Sequence, residues 1–160
     1  MAEEQSAQEL EDETTEISLT DTVTLRTHDL INHRYSGDLD ELKEGYARVT
    51  ILTNEEMRVD SFGLVHGGFI FCAGDFAAMA AVNDPNVVLA SCQSDFLSPV
   101  RVGDEVVFEA NVRHKDGRKR EVKVIGSVLD IKVFEATMKT VVLEKHVLKL
   151  DLMNASKNPS

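Results

Sequence analysis

The most constraining feature of this chain is the segment 66–82, HGGFIFCAGDFAAMAAV, whose stretch from Phe69 to Val82 carries one charge, Asp75, among apolar and small residues. It is shorter than the roughly 20 residues a membrane-spanning helix needs. Ala77, Ala78, Ala80 and Ala81 favour helix. Helical spacing puts apolar groups on every face, which predicts a helix wrapped by other structure. Asn83-Asp84-Pro85-Asn86 stops it. Such a helix calls for a curved sheet around it and for something that covers its remaining side.

The rest of the chain supplies strands. Val49 and Ile51 alternate with Arg48 and Thr50, which predicts a strand over 46–53. After the helix, 87–96 reads as a strand, followed by a turn at Ser98-Pro99. Over 104–114, Val106, Phe108, Ala110 and Val112 share one face. Lys115-Asp116-Gly117-Arg118 is an Asp-Gly hairpin turn, and 120–129 and 132–143 complete a four-stranded meander. One strand, one apolar helix and four antiparallel strands make an α+β layout with a sheet of about five strands. Before it, 21–36 has loosely helical spacing, with Thr20 or Asp21 as cap. His28 and His33 lie five apart, not the i, i+4 spacing that puts two metal ligands on one helix face. Without a repeat or a linker, 21–150 reads as a single domain and 151–160 as a flexible C-terminal tail.

The chain has 160 residues, 42% of them hydrophobic, enough for a core without metal or disulfide staples. Net charge is −11, and residues 1–20 hold seven acids and no base. That segment reads as a disordered acidic tail, serving solubility or docking a basic protein partner. The charge argues against nucleic acid and anionic membrane as partners. Cys72 and Cys92 are too few for a disulfide scaffold or a cysteine zinc site and read as core filling. With no secretory signal, the expected compartment is the cytoplasm, and no metal is expected.

Two stretches carry a resemblance. EGYARVTILTNEEMRVDSFGLVHGGFIFCAGDFAAMAAV and SDFLSPVRVGDEVVFEANVRHKDGRKREVKV resemble the two halves of hot-dog fold acyl-CoA thioesterases of the phenylacetate-pathway type. The match runs from about Gly45 to Leu143, and its most specific element is His66-Gly67-Gly68 followed by a carboxylate at Asp75. The resemblance implies an antiparallel sheet wrapped around one long central helix. It also implies homodimers, with dimers of dimers left open, and hydrolysis of an acyl-CoA thioester. Coenzyme A would be part of the substrate or ligand, with no separate cofactor. The downstream half is also similar to the effector domain of the malonyl-CoA-responsive repressor of fatty-acid synthesis. That domain binds acyl-CoA without cleaving it and lacks the carboxylate, so a non-catalytic sensing role is the alternative.

Thioester hydrolysis needs a polarised carbonyl and an activated water or a carboxylate nucleophile. Gly67 and Gly68 sit where the helix begins, with N–H groups free to hold a developing oxyanion. The resemblance gives the position of Gly67 that role. It gives the position of Asp75 the role of base or nucleophile toward a carbonyl bound by the other subunit. A carboxylate on an apolar helix should have a raised pKa. The competing reading is that the helix breaks at Gly74 and Asp75 caps a second one. His66 either takes part in catalysis or shapes the helix start. Family members often carry Asn where this chain has Asp60, an acceptor-only group, which puts hydrolytic efficiency in question. Arg101, Lys115, Arg118, Lys119 and Arg120, with Gly117 in their turn, form the expected site for the coenzyme A phosphates.

Overall fold

The computed structural model describes residues 23–150; the acidic stretch 1–20 and the tail 151–160 fall outside the described residues. Helix α1 (His33–Ser36) is a single turn. Strands β1 (Asp38–Lys43) and β2 (Tyr46–Leu52) follow. Helix α2 (Gly67–Val82) comes next, then β3 (Val87–Phe96), β4 (Glu105–Asp116), β5 (Lys119–Val128) and β6 (Ile131–Val142). All strands pair antiparallel in one six-stranded sheet, in the order β1-β2-β4-β5-β6-β3. A single antiparallel sheet curled about one long helix is the hot-dog architecture expected.

Burial follows the alternation read from the sequence. Val106, Phe108 and Ala110 of β4 are fully buried, as are Ala47 and Val49 of β2 and Val122 and Val124 of β5. They face Ala73, Phe76, Ala77, Ala78, Ala80 and Ala81 of α2. The alanines let the helix lie close to the sheet, and two glycines receive the large rings. A Cβ on Gly74 would stand 2.9 Å from Phe134, and one on Gly126 would stand 2.8 Å from Phe108.

Two expectations are corrected. The sheet gains a sixth strand, β1, whose sequence DLDELK has four charges and only two leucines, both partly covered. The helix predicted over 21–36 shrinks to its last four residues. Residues 23–32 instead run as an irregular strap along α2 (Gly67–Val82). The strap is pinned at the helix C-terminus, where the Asn83 side chain accepts from Arg26 N at 2.7 Å and donates to the Thr24 carbonyl at 2.8 Å. Farther along, His28 and His33 flank the Phe76 ring at 6.4 and 6.1 Å between centroids. Ser36 Oγ lies 3.3 Å from Cys72 Sγ, and Tyr35 packs on Phe69. The strap thus supplies part of the cover that an all-apolar helix requires.

Candidate active site

The site is built from the loop before α2, the first turn of that helix, and Asp75 at its middle. Asp60 organises the loop. Its side chain accepts from Phe62 N at 3.0 Å and Leu64 N at 3.2 Å, closing a turn that Gly63 completes at φ 84°. Both bonds need only an acceptor oxygen, which aspartate supplies as well as an asparagine amide would. Backbone bonds from Val65 N to the Val100 carbonyl (2.9 Å) and from His66 N to the Met57 carbonyl (2.8 Å) then fix where the helix starts.

His66 is the N-cap, and its side chain makes no capping hydrogen bond. Its ring stands edge-on to Phe69 and covers Gly68, where a Cβ would lie 3.1 Å from Nε2. A Cβ at Gly67 would press on Phe96 at 3.3 Å. Both glycines thus let a ring approach the helix start closely, and a side chain at either would make that neighbour give by a few tenths of an ångström. Phe69 N bonds back to the His66 carbonyl, and among the described residues no hydrogen bond takes the N–H of Gly67 or Gly68. Those two donors point out of the positive end of a sixteen-residue helix, which suits an anionic oxygen. Beside them lies a largely apolar crevice of about 240 Å³ between Leu64, Ile70, Phe96, Pro99, Val100 and Val133.

Asp75 is half-buried within an unbroken helix, so it caps nothing and the broken-helix reading is set aside. Its Oδ1 is enclosed with no hydrogen-bond partner. Burial pushes its carboxyl above the ordinary carboxylate range, and the charge of His28 counters this in part. Cys92 of β3 stands on the other flank. Burial pushes its thiol up, a hydrogen bond to Ser94 opposes that, and the Asp75 charge adds to the rise. Cys72 and Cys92 are both free and half-buried, as core-filling residues at the helix margin would be. No cluster of metal-ligating side chains occurs among the described residues, and no helix there is long and apolar enough to cross a membrane.

Along the helix, Gly67 and Asp75 are eight residues apart, about 12 Å at 1.5 Å per residue. One carbonyl carbon cannot be within reach of both. The basic residues are also divided in space. Arg101 bridges Leu64 beside the helix start, whereas Lys115, Gly117, Arg118, Lys119 and Arg120 occupy the β4–β5 hairpin at the far end of β4. Arg118 is paired with Glu144, and Arg120 donates to the carbonyls of Gly117 and Lys119. Within one chain, then, Arg101 and the hairpin cations lie at opposite ends of β4. His28 was considered in the sequence only as a metal ligand. No local pattern gives its place against Phe76, because the strap that carries it has no periodicity.

Comparison with known proteins places the chain. The thioesterase superfamily profile matches residues 62–133, from the site loop into β6. A methylthioribose-1-phosphate isomerase of Aquifex aeolicus is 50% identical over 119 residues, 74% of this chain but 26% of that protein. The transcription factor FapR of Caldanaerobacter subterraneus is 28% identical over 114 residues, 71% of this chain and 57% of that protein. The chain thus spans about a quarter of the first relative and just over half of the second. Among solved structures, the uncharacterised protein PH1136 of Pyrococcus horikoshii superposes with a TM-score of 0.79 at 45% identity, over 79% of this chain and 98% of its own. PaaI of the E. coli phenylacetic acid degradation operon gives a TM-score of 0.63 at 26% identity, over 68% and 80%. The wrapped helix, the glycine-lined helix start and these similarities lead to one assignment: the chain belongs to the hot-dog thioesterase superfamily.

Proposed function

We propose that the protein is an acyl-CoA thioesterase that works as a homodimer, with each reaction centre shared between subunits. The observation that carries this reading is a half-buried carboxylate, its Oδ1 enclosed and unpartnered, about 12 Å along the same helix from two unengaged N–H donors. Neither half suffices alone, and a twofold axis would bring the Asp75 of one subunit to the glycines of the other. The sheet edges support such pairing. The β1 edge carries Asp38, Asp40, Glu41 and Lys43 in six residues, charges that discourage strand addition. The β3 edge is ten residues long and holds one charged residue, Asp95. Isologous pairing of β3 would continue the sheet and cover the half-exposed helix flank that bears Phe71 and Asp75.

In this reading the thioester carbonyl oxygen accepts from Gly67 and Gly68 N–H of one subunit. Asp75 of the other takes a proton from water as that water's oxygen bonds to the carbonyl carbon. Collapse of the tetrahedral intermediate breaks the C–S bond, and the proton on Asp75 goes to the leaving thiolate. The apolar crevice beside Gly67 suits an apolar portion of the substrate. Antiparallel pairing of β3 would also bring the partner's β4–β5 hairpin to the end where this helix begins, about three strand spacings or roughly 14 Å away. Lys115, Lys119 and Arg120 there would meet the nucleotide phosphates of coenzyme A.

The similarity to a transcription factor favours a second reading, binding of an acyl-CoA without hydrolysis. A panel of acyl-CoAs assayed with wild type and Asp75→Asn separates the two. Hydrolysis by wild type that falls by about 10²–10⁴-fold in the variant, with ligand affinity little changed, supports the enzyme. Tight acyl-CoA binding with no turnover of any thioester supports the sensor.

A further inference from the structure

Strand β6 (Ile131–Val142) carries an irregularity that shapes the crevice beside Gly67. Gly126 of β5 pairs with Phe134 and Ser127 pairs with Lys132, so Val133 is an extra residue with no partner on β5. A bulge of this kind re-aims a side chain. In a regular strand Val133 and Phe134 would point to opposite faces. Here both are buried, at 3% and 0% exposure. Phe134 enters the core, edge-on to Phe96 and Phe108 and close against Gly74. Val133 turns to the crevice and forms part of its wall. The Val133 carbonyl accepts from Leu97 N at 2.8 Å, which ties the end of β3 to the bulge and fixes where the side chain stands.

The chemistry of the lining is one-sided. Gly67, whose N–H is unengaged, is itself part of the wall, so the substituent of a carbonyl held at that N–H starts at the crevice. Leu64, Ile70, Phe96, Pro99 and Val100 face it with Val133, and Ser98 adds the one side-chain hydroxyl. No charged side chain among the described residues lines it, so a carboxylate at the end of an acyl group would be buried there without a partner. Its volume of about 240 Å³ has room for about eight carbon-sized groups at roughly 30 Å³ each. We propose that Val133 is a specificity-determining residue of the site: placed in the crevice by the β6 bulge, it limits the acyl group to an uncharged apolar chain of about eight carbons or fewer. This rests on the reading above, in which a thioester carbonyl is held at Gly67, but the length limit can be measured by binding alone.

The experiment compares wild type, Val133→Ala and Val133→Phe on straight-chain acyl-CoAs of even carbon number, from acetyl to palmitoyl, with succinyl-CoA as the charged member. For wild type, kcat/KM should rise about fourfold per methylene up to about octanoyl-CoA and then level off. Succinyl-CoA should fall at least about tenfold below butanoyl-CoA, which has as many acyl carbons. Val133→Phe enlarges the wall residue, and the rise should end about two to four carbons earlier. Val133→Ala opens space, and the rise should end about two carbons later. A bulge that serves packing alone would lower stability, or the rate on every chain alike, and leave that length where it is. The same length in the folded variants as in wild type overturns the proposal, as does a wild type that prefers succinyl-CoA to butanoyl-CoA. If Val133→Phe does not fold, Val133→Ala decides. If wild type hydrolyses no thioester, the enzyme reading fails by itself, and calorimetric affinities of the same acyl-CoAs for the same proteins carry the comparison. Affinities that do not depend on chain length overturn the crevice assignment.

Discussion

Asp75 should cost the folded protein stability, and the cost should depend on pH in a defined direction. The unfolded chain ionises this group near the ordinary value of 3.8, whereas burial raises its pKa in the native state. Between those two values the native state holds a proton that the unfolded state has lost, so stability falls as pH rises through that window. The contribution of Asp75 is fully present below the unfolded value and is lost once the folded carboxyl ionises. Asp75→Asn leaves a neutral group of the same shape with the same unpartnered oxygen. The two proteins should therefore be nearly equal in stability at the acid end and diverge toward neutrality, with the variant the more stable.

The size follows from the environment. Because the variant keeps the unpartnered oxygen, only the added desolvation of the charge separates the two proteins, a cost of about 1–3 kcal/mol for an enclosed group. Asp75 is only half-buried and His28 relieves part of the strain, so the lower part of that range, about 1–2 kcal/mol, is expected. For a domain of this size that corresponds to a rise of roughly 3–8 °C in Tm near pH 7.5. The assay is thermal or urea unfolding of both proteins across the pH range, at one protein concentration so that any association is held constant. A variant less stable than wild type at neutral pH, or a difference of fixed size at every pH, would refute the reasoning. Either result would mean that the carboxylate has a native partner and is a structural residue.

Further outcomes follow from packing and from the sheet edge. Gly74→Ala should gain about 1 kcal/mol of helix propensity. It should lose more than that, for a net destabilisation of about 1–2 kcal/mol, because its Cβ would meet a Phe134 ring locked between Phe96 and Phe108; a Tm equal to or above wild type would show that the ring can yield. Wild type should be dimeric at micromolar concentration by light scattering. Ser91→Lys with Gln93→Lys, both exposed on β3, should shift it toward monomer by setting like charges across the twofold. A monomeric wild type would refute the edge pairing.

What could be read from the sequence divides along physical lines. The central helix was legible because its composition satisfies no environment except enclosure, and strands β2 and β4 because alternation with period two records which face is buried. Gly67, Gly68 and Asp75 became candidates through the resemblance to the thioesterase family, which their places at the start and in the middle of that helix accompany. Strand β1 was not, since an edge strand with a charged outer side and two half-covered leucines has no apolar face to show. The strap was misread as helix because Val23, Leu30 and Ile31 mimic a loose helical spacing. Long-range bonds to Asn83 and Cys72 decide its actual course, and no local pattern encodes them. Arg101 and the hairpin cations were grouped by their frequency in an acidic chain, which carries no information on which end of a twelve-residue strand each occupies.

The covering of the helix connects these observations. An apolar helix needs every face shielded, yet a hydrolytic site on it needs substrate to reach the carboxylate. Here the sheet takes the face bearing Ala73, Ala77 and Ala81, and the strap takes the face bearing Phe69, Cys72 and Phe76. The row of Gly68, Phe71 and Asp75 stays partly open, bordered by the free edge of β3. A charged group placed on either covered face would have to be buried completely at prohibitive cost. On the open row its burial can be completed by a partner subunit and a substrate, the condition under which a raised carboxyl pKa becomes useful. The one acidic residue of α2 thus lies on the one face that the described residues leave partly open.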